Sequence, residues 1–195
     1  MSENQETRTT AGATNGCYRP KLSFYHASPK GTGCAVQFEL LPARGDEDGC
    51  VMMQLANQLT LGDRRGATPV YPRFDWDNKI VVKLGFGDLT KMLQVFRGEC
   101  EELENGKGLY HMTSGFSTKI VLRHLIDPVQ GYSLEVYRNA RDGKDENRAH
   151  ILLYPNEALG LACSLESSFG YICFGVPAAS ARPAAKKEEV IHAVA

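Results

Sequence analysis

The sequence predicts an α+β fold in which two four-stranded antiparallel sheets are combined with two helices. Two observations predict it. Short runs that alternate apolar and polar residues recur along the chain, as expected for strands with one solvent-facing side. Four such runs precede each of two segments with helical spacing of apolar residues. The chain therefore repeats a ββββα unit, as an internal duplication within one domain.

The first ββββα unit occupies the N-terminal half. Its strands are predicted at residues 22–26, 34–41, 50–58 and 79–86. The last of them places Lys79 and Lys83 on the side opposite its apolar residues, so both lysines are expected to face solvent. Asp88 is the predicted N-cap of the helix that follows and ends at Gly98.

The second unit has strands predicted at residues 108–113, 116–126, 131–138 and 149–154. Pro155 opens its helix, and Asn156 is the predicted N-cap. Apolar residues cover most of this helix, so we expect it to be more buried than the first, including against a partner subunit.

Length and composition favour one globular domain. The chain has 195 residues, of which 43% are hydrophobic and 23% are charged, as in ordinary globular proteins. Polar or low-complexity ends predict flexible tails at residues 1–20 and 177–195 around a domain at 21–176. Without an apolar run of about 20 residues or a basic-then-apolar start, we expect a cytoplasmic protein that makes no contact with membranes.

The six cysteines have neither the spacing of a zinc site nor that of a disulfide framework. We therefore predict reduced thiols, no metal and no cofactor. Cys34, Cys50, Cys163 and Cys173 lie among apolar residues, where a free cysteine usually acts as a small buried hydrophobe.

Catalysis is a second hypothesis with little support in the sequence. Cys100, His111, His124 and Asp127 are chemically capable but form no known constellation, and none of the common nucleophile, phosphate-loop or zinc-protease motifs is present. We predict no catalytic residue and no enzymatic activity.

Several segments resemble the plant Whirly proteins. Residues 73–79, Arg-Phe-Asp-Trp-Asp-Asn-Lys, run into an apolar strand and a helix, and resemble the family's Tyr-Asp-Trp segment. Residues 30–36, Lys-Gly-Thr-Gly-Cys-Ala-Val, resemble its Lys-Gly-Lys-Ala-Ala-Leu motif, with Thr32 and Gly33 departing from it. Residues 51–55, 132–136 and 155–175 fall where the family has an apolar strand ending in glutamine, a later strand and the final helix. The resemblance covers residues 21–176.

This resemblance implies two four-stranded sheets with helices between them, assembly as a homotetramer, and binding of single-stranded DNA or RNA across the sheets with little sequence preference. The mitochondrial RNA-binding proteins of kinetoplastids are similar in these respects. Whether DNA or RNA is the ligand stays open, because base stacking on a sheet does not distinguish the two sugars.

Candidate binding residues follow from the chemistry of single strands. Unpaired bases stack on exposed aromatic rings, while lysine and arginine contact phosphates and glycine lets the backbone approach closely. The candidates are Tyr25, Lys30, Gly31, Trp76, Lys79, Lys83, Lys119 and Arg123. Two structural readings stay open, since a single tryptophan is often a core anchor and strand lysines are often only solvated.

A net charge of -1 offers no overall attraction for phosphates, so binding would depend on a local patch or on its repetition in an oligomer. The same charge favours an alternative function, an oligomeric protein-interaction module without nucleic-acid binding. Steep loss of affinity with salt would favour nucleic acid, because phosphate contacts release counterions.

Overall fold

The strands of the first half form one antiparallel sheet. The computed structural model describes residues 20–63, 68–143 and 146–177. The strands of this sheet are β1 (Lys21–His26), β2 (Cys34–Leu41), β3 (Cys50–Thr60), β4 (Arg73–Phe74) and β5 (Ile80–Leu84). One side of β3 pairs with β2, and its other side pairs with β5 along residues 51–55 and with β4 near its end. The predicted strands are confirmed, and the two-residue β4 is an addition that the sequence pattern does not predict.

The strands of the second half form a separate antiparallel sheet. Its order is β6 (Leu109–Met112), β7 (Phe116–Leu125), β8 (Gly131–Ala140) and β9 (Glu146–Leu153). The first three strands begin within one residue of the predicted positions, whereas β9 begins three residues earlier than predicted. The duplicated plan is thus confirmed, with each sheet followed by one helix.

Two helices, α1 (Phe86–Phe96) and α2 (Pro155–Phe174), pack on the faces of the sheets that we call inner. Alternation along the strands directs apolar side chains to these inner faces and leaves the outer faces to solvent. One core results, and its fully buried members come from both sheets and both helices: Met53, Leu55, Ile80, Leu84, Leu89, Met92, Leu122, Leu134, Ile151 and Leu161. Among the described residues, neither helix has the length and apolar composition that would span a membrane.

Both predicted N-caps are wrong. The helices begin after Gly85 and Tyr154, so Asp88 and Asn156 lie inside the first turn. Asp88 acts from the third helical position, where its Oδ2 accepts the N–H of Gly85 at 3.0 Å. In α2 this role belongs to Glu157, whose Oε2 accepts the N–H of Tyr154 at 2.9 Å. An acidic residue at the third helical position satisfies the N–H of the residue before the helix by reaching back to it.

These two carboxylates also join the halves to each other. Nε2 of His26, at the end of β1, lies 2.8 Å from Oε1 of Glu157 in α2. Nε2 of His111, on β6, lies 3.3 Å from Oδ2 of Asp88 in α1. The first strand of each sheet therefore contacts the helix start of the other half.

The second helix is less buried in the single chain than the sequence predicts. Leu159, Tyr171 and Phe174 are 67%, 43% and 88% exposed, so an apolar side of α2 is open. Cys163 and Cys173 lie on the same helix and are exposed, which contradicts their predicted burial. The reason is that this helix is apolar around most of its circumference and only one side faces the core.

The cysteines of the first sheet behave as predicted. Cys34 and Cys50 are buried. Burial raises the pKa of the Cys34 thiol to about 12, so this side chain stays protonated and serves as packing. Cys17 lies outside the described residues.

Candidate nucleic-acid interface

The outer face of the first sheet carries the predicted lysines of β5. Ile80, Val82 and Leu84 are buried, whereas Lys83 and its neighbour Val81 are exposed. Lys79 directly precedes the strand and is half-buried. Within the described ranges, no ion pair involves Lys30, Lys79 or Lys83. None of these three lysines is therefore held in an ion pair with a described carboxylate.

Three aromatic rings meet at one end of this sheet. The ring of Tyr25 lies 5.6 Å from that of Phe74 and 6.3 Å from that of Trp76, both in tilted or edge-on geometry. The hydroxyl of Tyr25 accepts a hydrogen bond from Nε2 of Gln37 at 3.0 Å, which fixes its orientation. We call the cavity beside these rings the aromatic pocket. Its volume is about 530 Å³, and its lining is Tyr25, Ala27, Tyr71, Pro72, Arg73, Phe74 and Trp76.

The aromatic pocket depends on the short strand β4. Phe74 pairs with Gln58 of β3, and the N–H of Asp75 continues the pairing by donating to the carbonyl of Asn57 at 2.9 Å. Asp75 then closes a turn, because its side chain accepts hydrogen bonds from the N–H and the amide of Asn78. This local structure turns Trp76 toward Tyr25, where it is half-buried rather than enclosed in the core.

Sequence reasoning missed part of this pocket. Tyr71, Arg73 and Phe74 line it but were not among the predicted site residues. Tyr71 is 70% exposed, an uncommon exposure for a large aromatic side chain. The available signal was their closeness to Trp76 in the chain.

Beside the aromatic pocket lies the loop at residues 27–33, which we call the Lys30 loop. The side chain of Gln58 holds it in place. Its Oε1 accepts the N–H groups of Ser28 at 2.7 Å and of Gly33 at 3.1 Å, and its Nε2 donates to the carbonyl of Thr60 at 3.0 Å. A Cβ atom at Gly33 would lie 2.3 Å from the backbone oxygen of His26 and 2.3 Å from Oε1 of Gln58, so only glycine fits there.

Lys30 and Gly31 form the tip of this loop. The N–H of Gly31 donates to the carbonyl of Ser28 at 3.0 Å, and Gly31 has a φ of 75°, which favours glycine. Lys30 is exposed. The glutamine that organises the loop was not predicted from the sequence, because its contacts lie 25 and 30 positions away along the chain.

Lys119 and Arg123 lie on the outer face of the second sheet, as their spacing predicts. Both line a cavity of about 330 Å³ that also includes Tyr110 and Tyr137. The ammonium group of Lys119 lies 5.4 Å from the centre of the Tyr110 ring, within reach of a cation–π contact.

Arg123 differs from the lysines because carboxylates surround it. Its Nε lies 2.9 Å from Glu102, and its guanidinium lies 3.8 Å from Glu135. Glu135 also accepts hydrogen bonds from the hydroxyl of Tyr137 and, at 2.7 Å, from Arg148. Burial acts to raise the pKa of Glu135, but the hydrogen bonds from Tyr137 and Arg148 outweigh it and hold that pKa below its ordinary value.

The structure thus groups the predicted residues into two faces. Tyr25 and Trp76 share the aromatic pocket, Lys30 and Gly31 lie in the adjoining loop, and Lys79 and Lys83 belong to the outer face of the same sheet. Lys119 and Arg123 lie apart from them on the second sheet. Across the described part of the chain, no group of three or more potential ligands is arranged to hold a metal ion.

Comparison with known proteins gives a fold but no close relative. No protein-family model and no curated protein sequence matches the chain. Among solved structures, the chain is similar to WHY1 from Arabidopsis thaliana, with a TM-score of 0.64 and 14% identity over 80% of this chain and 86% of that one. It is similar to the plant transcriptional regulator PBF-2, with a TM-score of 0.60 and 16% identity over 80% and 82% of the two chains.

A similar match reaches beyond plants. The trypanosomal MRP1/MRP2 proteins align with a TM-score of 0.54 and 14% identity over 82% of this chain and 89% of that one. The chain therefore has the Whirly fold, an α+β arrangement of two antiparallel sheets and two helices.

Proposed function

We propose that this protein binds single-stranded nucleic acid, DNA or RNA, with little sequence preference and without catalysing a reaction. The observation that carries the proposal is the aromatic pocket, which lies on the same sheet as lysines that no described carboxylate pairs with. Stacking of a base on an aromatic side chain contributes about 1 to 3 kcal/mol and accepts every base, because each has a π face.

The backbone of a bound strand would contact the lysines. Lys79 and Lys83 belong to the outer face of the first sheet, and Lys30 is at the tip of the loop beside the aromatic pocket. A base in the pocket and phosphates along these side chains would orient a strand across the sheet. An unpaired base can offer its face to an aromatic ring, whereas a base within a duplex is already stacked between its neighbours, so single strands are favoured over duplexes.

The proteins of similar structure support the proposal. One is described as a complex of a guide-RNA-binding protein bound to a guide RNA, and it matches with a TM-score of 0.50 and 12% identity over 82% of this chain and 96% of that one. Another is named a plant transcriptional regulator. At 12% and 16% identity these structures share only their fold with this chain, so the proposal rests on the residues of this chain.

We further propose a homotetramer in a reducing, cytoplasmic setting. The exposed apolar side of α2, with Leu159 and Phe174, supports self-association, because large open apolar surfaces usually mark an interface. Four copies would repeat the lysine face and offset a net charge of -1 per chain. The free thiols of Cys34, Cys50, Cys100, Cys163 and Cys173 suit a reducing compartment.

Fluorescence anisotropy tests the function. A labelled mixed-sequence single strand and its duplex are titrated with the protein at two salt concentrations, with light scattering on the same samples. We expect salt-sensitive binding that prefers the single strand, by a tetramer. The double variant Lys79→Glu, Lys83→Glu should weaken it by at least about tenfold, because two phosphate contacts become repulsive.

The matched control reverses two exposed cations elsewhere, Lys107→Glu with Arg141→Glu, and carries the same change in net charge. Equal weakening by both double variants would show that only overall charge matters and would contradict a site on the first sheet. The exposed side of α2 also suits the alternative of a protein-interaction module. Absence of binding at low salt by a well-folded oligomer would favour that alternative.

A further inference from the structure

Another cavity lies where the two sheets meet. Its volume is about 360 Å³, and it is lined by one side of the Lys30 loop and by residues of β3 and β9: Gly31, Thr32, Gly33, Asn57, Arg148 and His150. We call it the inter-sheet cleft. None of these lining residues is aromatic apart from the imidazole, and none is acidic. The lining is therefore chemically unlike the aromatic pocket on the other side of the same loop.

Hydrogen bonds hold the walls of the inter-sheet cleft in place. Nδ2 of Asn57 in the first sheet donates to the carbonyl of Arg148 in the second at 2.9 Å. On the first-sheet side, the N–H of Gln58 donates to the carbonyl of Gly33 at 2.8 Å. The Lys30 loop is thus fixed to β3, and β3 is fixed to β9, so the cleft exists before any ligand arrives.

Arg148 is the cationic residue of the cleft lining. Its side chain is 58% exposed, and one terminal nitrogen is 2.7 Å from Glu135. A guanidinium has five N–H donors in a planar fork, so this one contact leaves others for a second anion. His150 lines the cleft beside it, and Nε2 of that ring is 3.1 Å from the hydroxyl of Ser133.

We propose that the inter-sheet cleft binds a backbone phosphate of the single strand whose base occupies the aromatic pocket. This inference rests on the proposed function and adds Arg148 to the residues that would contact the ligand. A phosphate suits the cleft better than a base does, because the lining offers a cation and polar donors but no broad aromatic face.

The position of the cleft supports one continuous path. Ala27 lines the aromatic pocket and Gly31 lines the cleft, and these residues are four positions apart in the Lys30 loop. Their Cα atoms are therefore at most about 15 Å apart, at 3.8 Å for each residue step. A strand leaving the aromatic pocket would pass Lys30 and reach the cleft within the same chain.

Salt dependence tests the inference. The logarithm of the binding constant of a labelled mixed-sequence single strand is measured against the logarithm of salt concentration for the wild type and for Arg148→Gln. Each lost phosphate contact on a single strand should lower the magnitude of this slope by about 0.7. Arg148→Lys keeps the charge and should therefore retain the wild-type slope. If the arginine had only a structural role, retention of its charge would not be enough to preserve that slope.

Arg138→Gln is the matched control, because Arg138 lies on the neighbouring strand β8 with its guanidinium 3.9 Å from the ring centre of Phe116, outside the cleft. Since Arg148→Gln also removes a partner of Glu135, the double variant Glu135→Gln, Arg148→Gln must reproduce the loss of slope. If the wild type binds the strand and both variants that carry Arg148→Gln keep the wild-type slope, the cleft does not bind a phosphate. The proposed function would then still stand. Absence of wild-type binding would overturn both.

Discussion

The two sheets have the same plan on their inner faces but differ on their outer faces. Leu84 of the first sheet and Leu134 of the second are both fully buried in the common core. On the outer side, Lys83 has no carboxylate partner within the described residues, whereas Arg123 lies between Glu102 and Glu135. The difference teaches that equal numbers of basic residues do not make equal phosphate-binding faces, because Arg123 lies between two carboxylates that compensate its charge.

The first prediction tests the equality of the inner faces and has the largest expected effect. Leu84→Ala and Leu134→Ala should each lower the free energy of unfolding by about 2 to 5 kcal/mol, because each leaves a cavity in a packed core. Urea unfolding followed by circular dichroism measures the loss. Both variants should unfold in one transition, and two separate transitions would mean that the sheets do not form a single cooperative core.

The second prediction tests the inequality of the outer faces. Trp76→Ala should weaken single-strand binding by about 5- to 150-fold, since the loss of one stacking ring costs about 1 to 3 kcal/mol. Tyr110→Ala removes the exposed ring of the second sheet, which stands beside Lys119 without the three-ring cluster of the first. Anisotropy titrations should show the smaller loss for Tyr110→Ala, and the opposite order would place the main binding face on the second sheet.

The third prediction sharpens the role of the acid in the second sheet and has the smallest expected effect. The depressed pKa of Glu135 means that its ionised form stabilises the folded state. That contribution is present above the unfolded pKa of about 4.3 and is lost as pH falls through the folded value. The wild type should therefore lose stability below about pH 4.3 more steeply than Glu135→Gln.

Urea unfolding between pH 3 and 6 measures this difference. Glu101→Gln is the control, because Glu101 is exposed and appears in none of the ion pairs of the described residues. Its pH profile should match that of the wild type. If Glu135→Gln also follows the wild-type profile, the network around Arg123 and Arg148 does not stabilise the fold.

Much of the fold was predictable because it depends on local alternation. Strands such as β5 have a clear two-residue period, and both helices show their apolar spacing. The helix starts were less predictable. Asp88 accepts the N–H of Gly85 from the third helical position, and a sequence cannot separate that role from the role of an N-cap. The strand β4 escaped prediction because its two residues gain their structure only by pairing with β3.

The candidate binding site was also predictable only in part. Tyr25 and Trp76 were predicted singly from their residue types, but the aromatic pocket arises from pairing between distant strands that also brings in Phe74. The partners of Arg123 could not be read from the sequence either. Glu135 is 12 positions away and reaches the arginine only because β7 and β8 are paired in a particular register.

Each half of the chain places a histidine against the acidic residue at the helix start of the other half. His26 of the first half needs Glu157 of the second, and Asp88 of the first half needs His111 of the second. Reciprocity of this kind is the contact pattern of a symmetric dimer, in which the same pair of groups meets twice about a two-fold axis. Either half in isolation would keep one histidine and one carboxylate whose counterparts had both been removed.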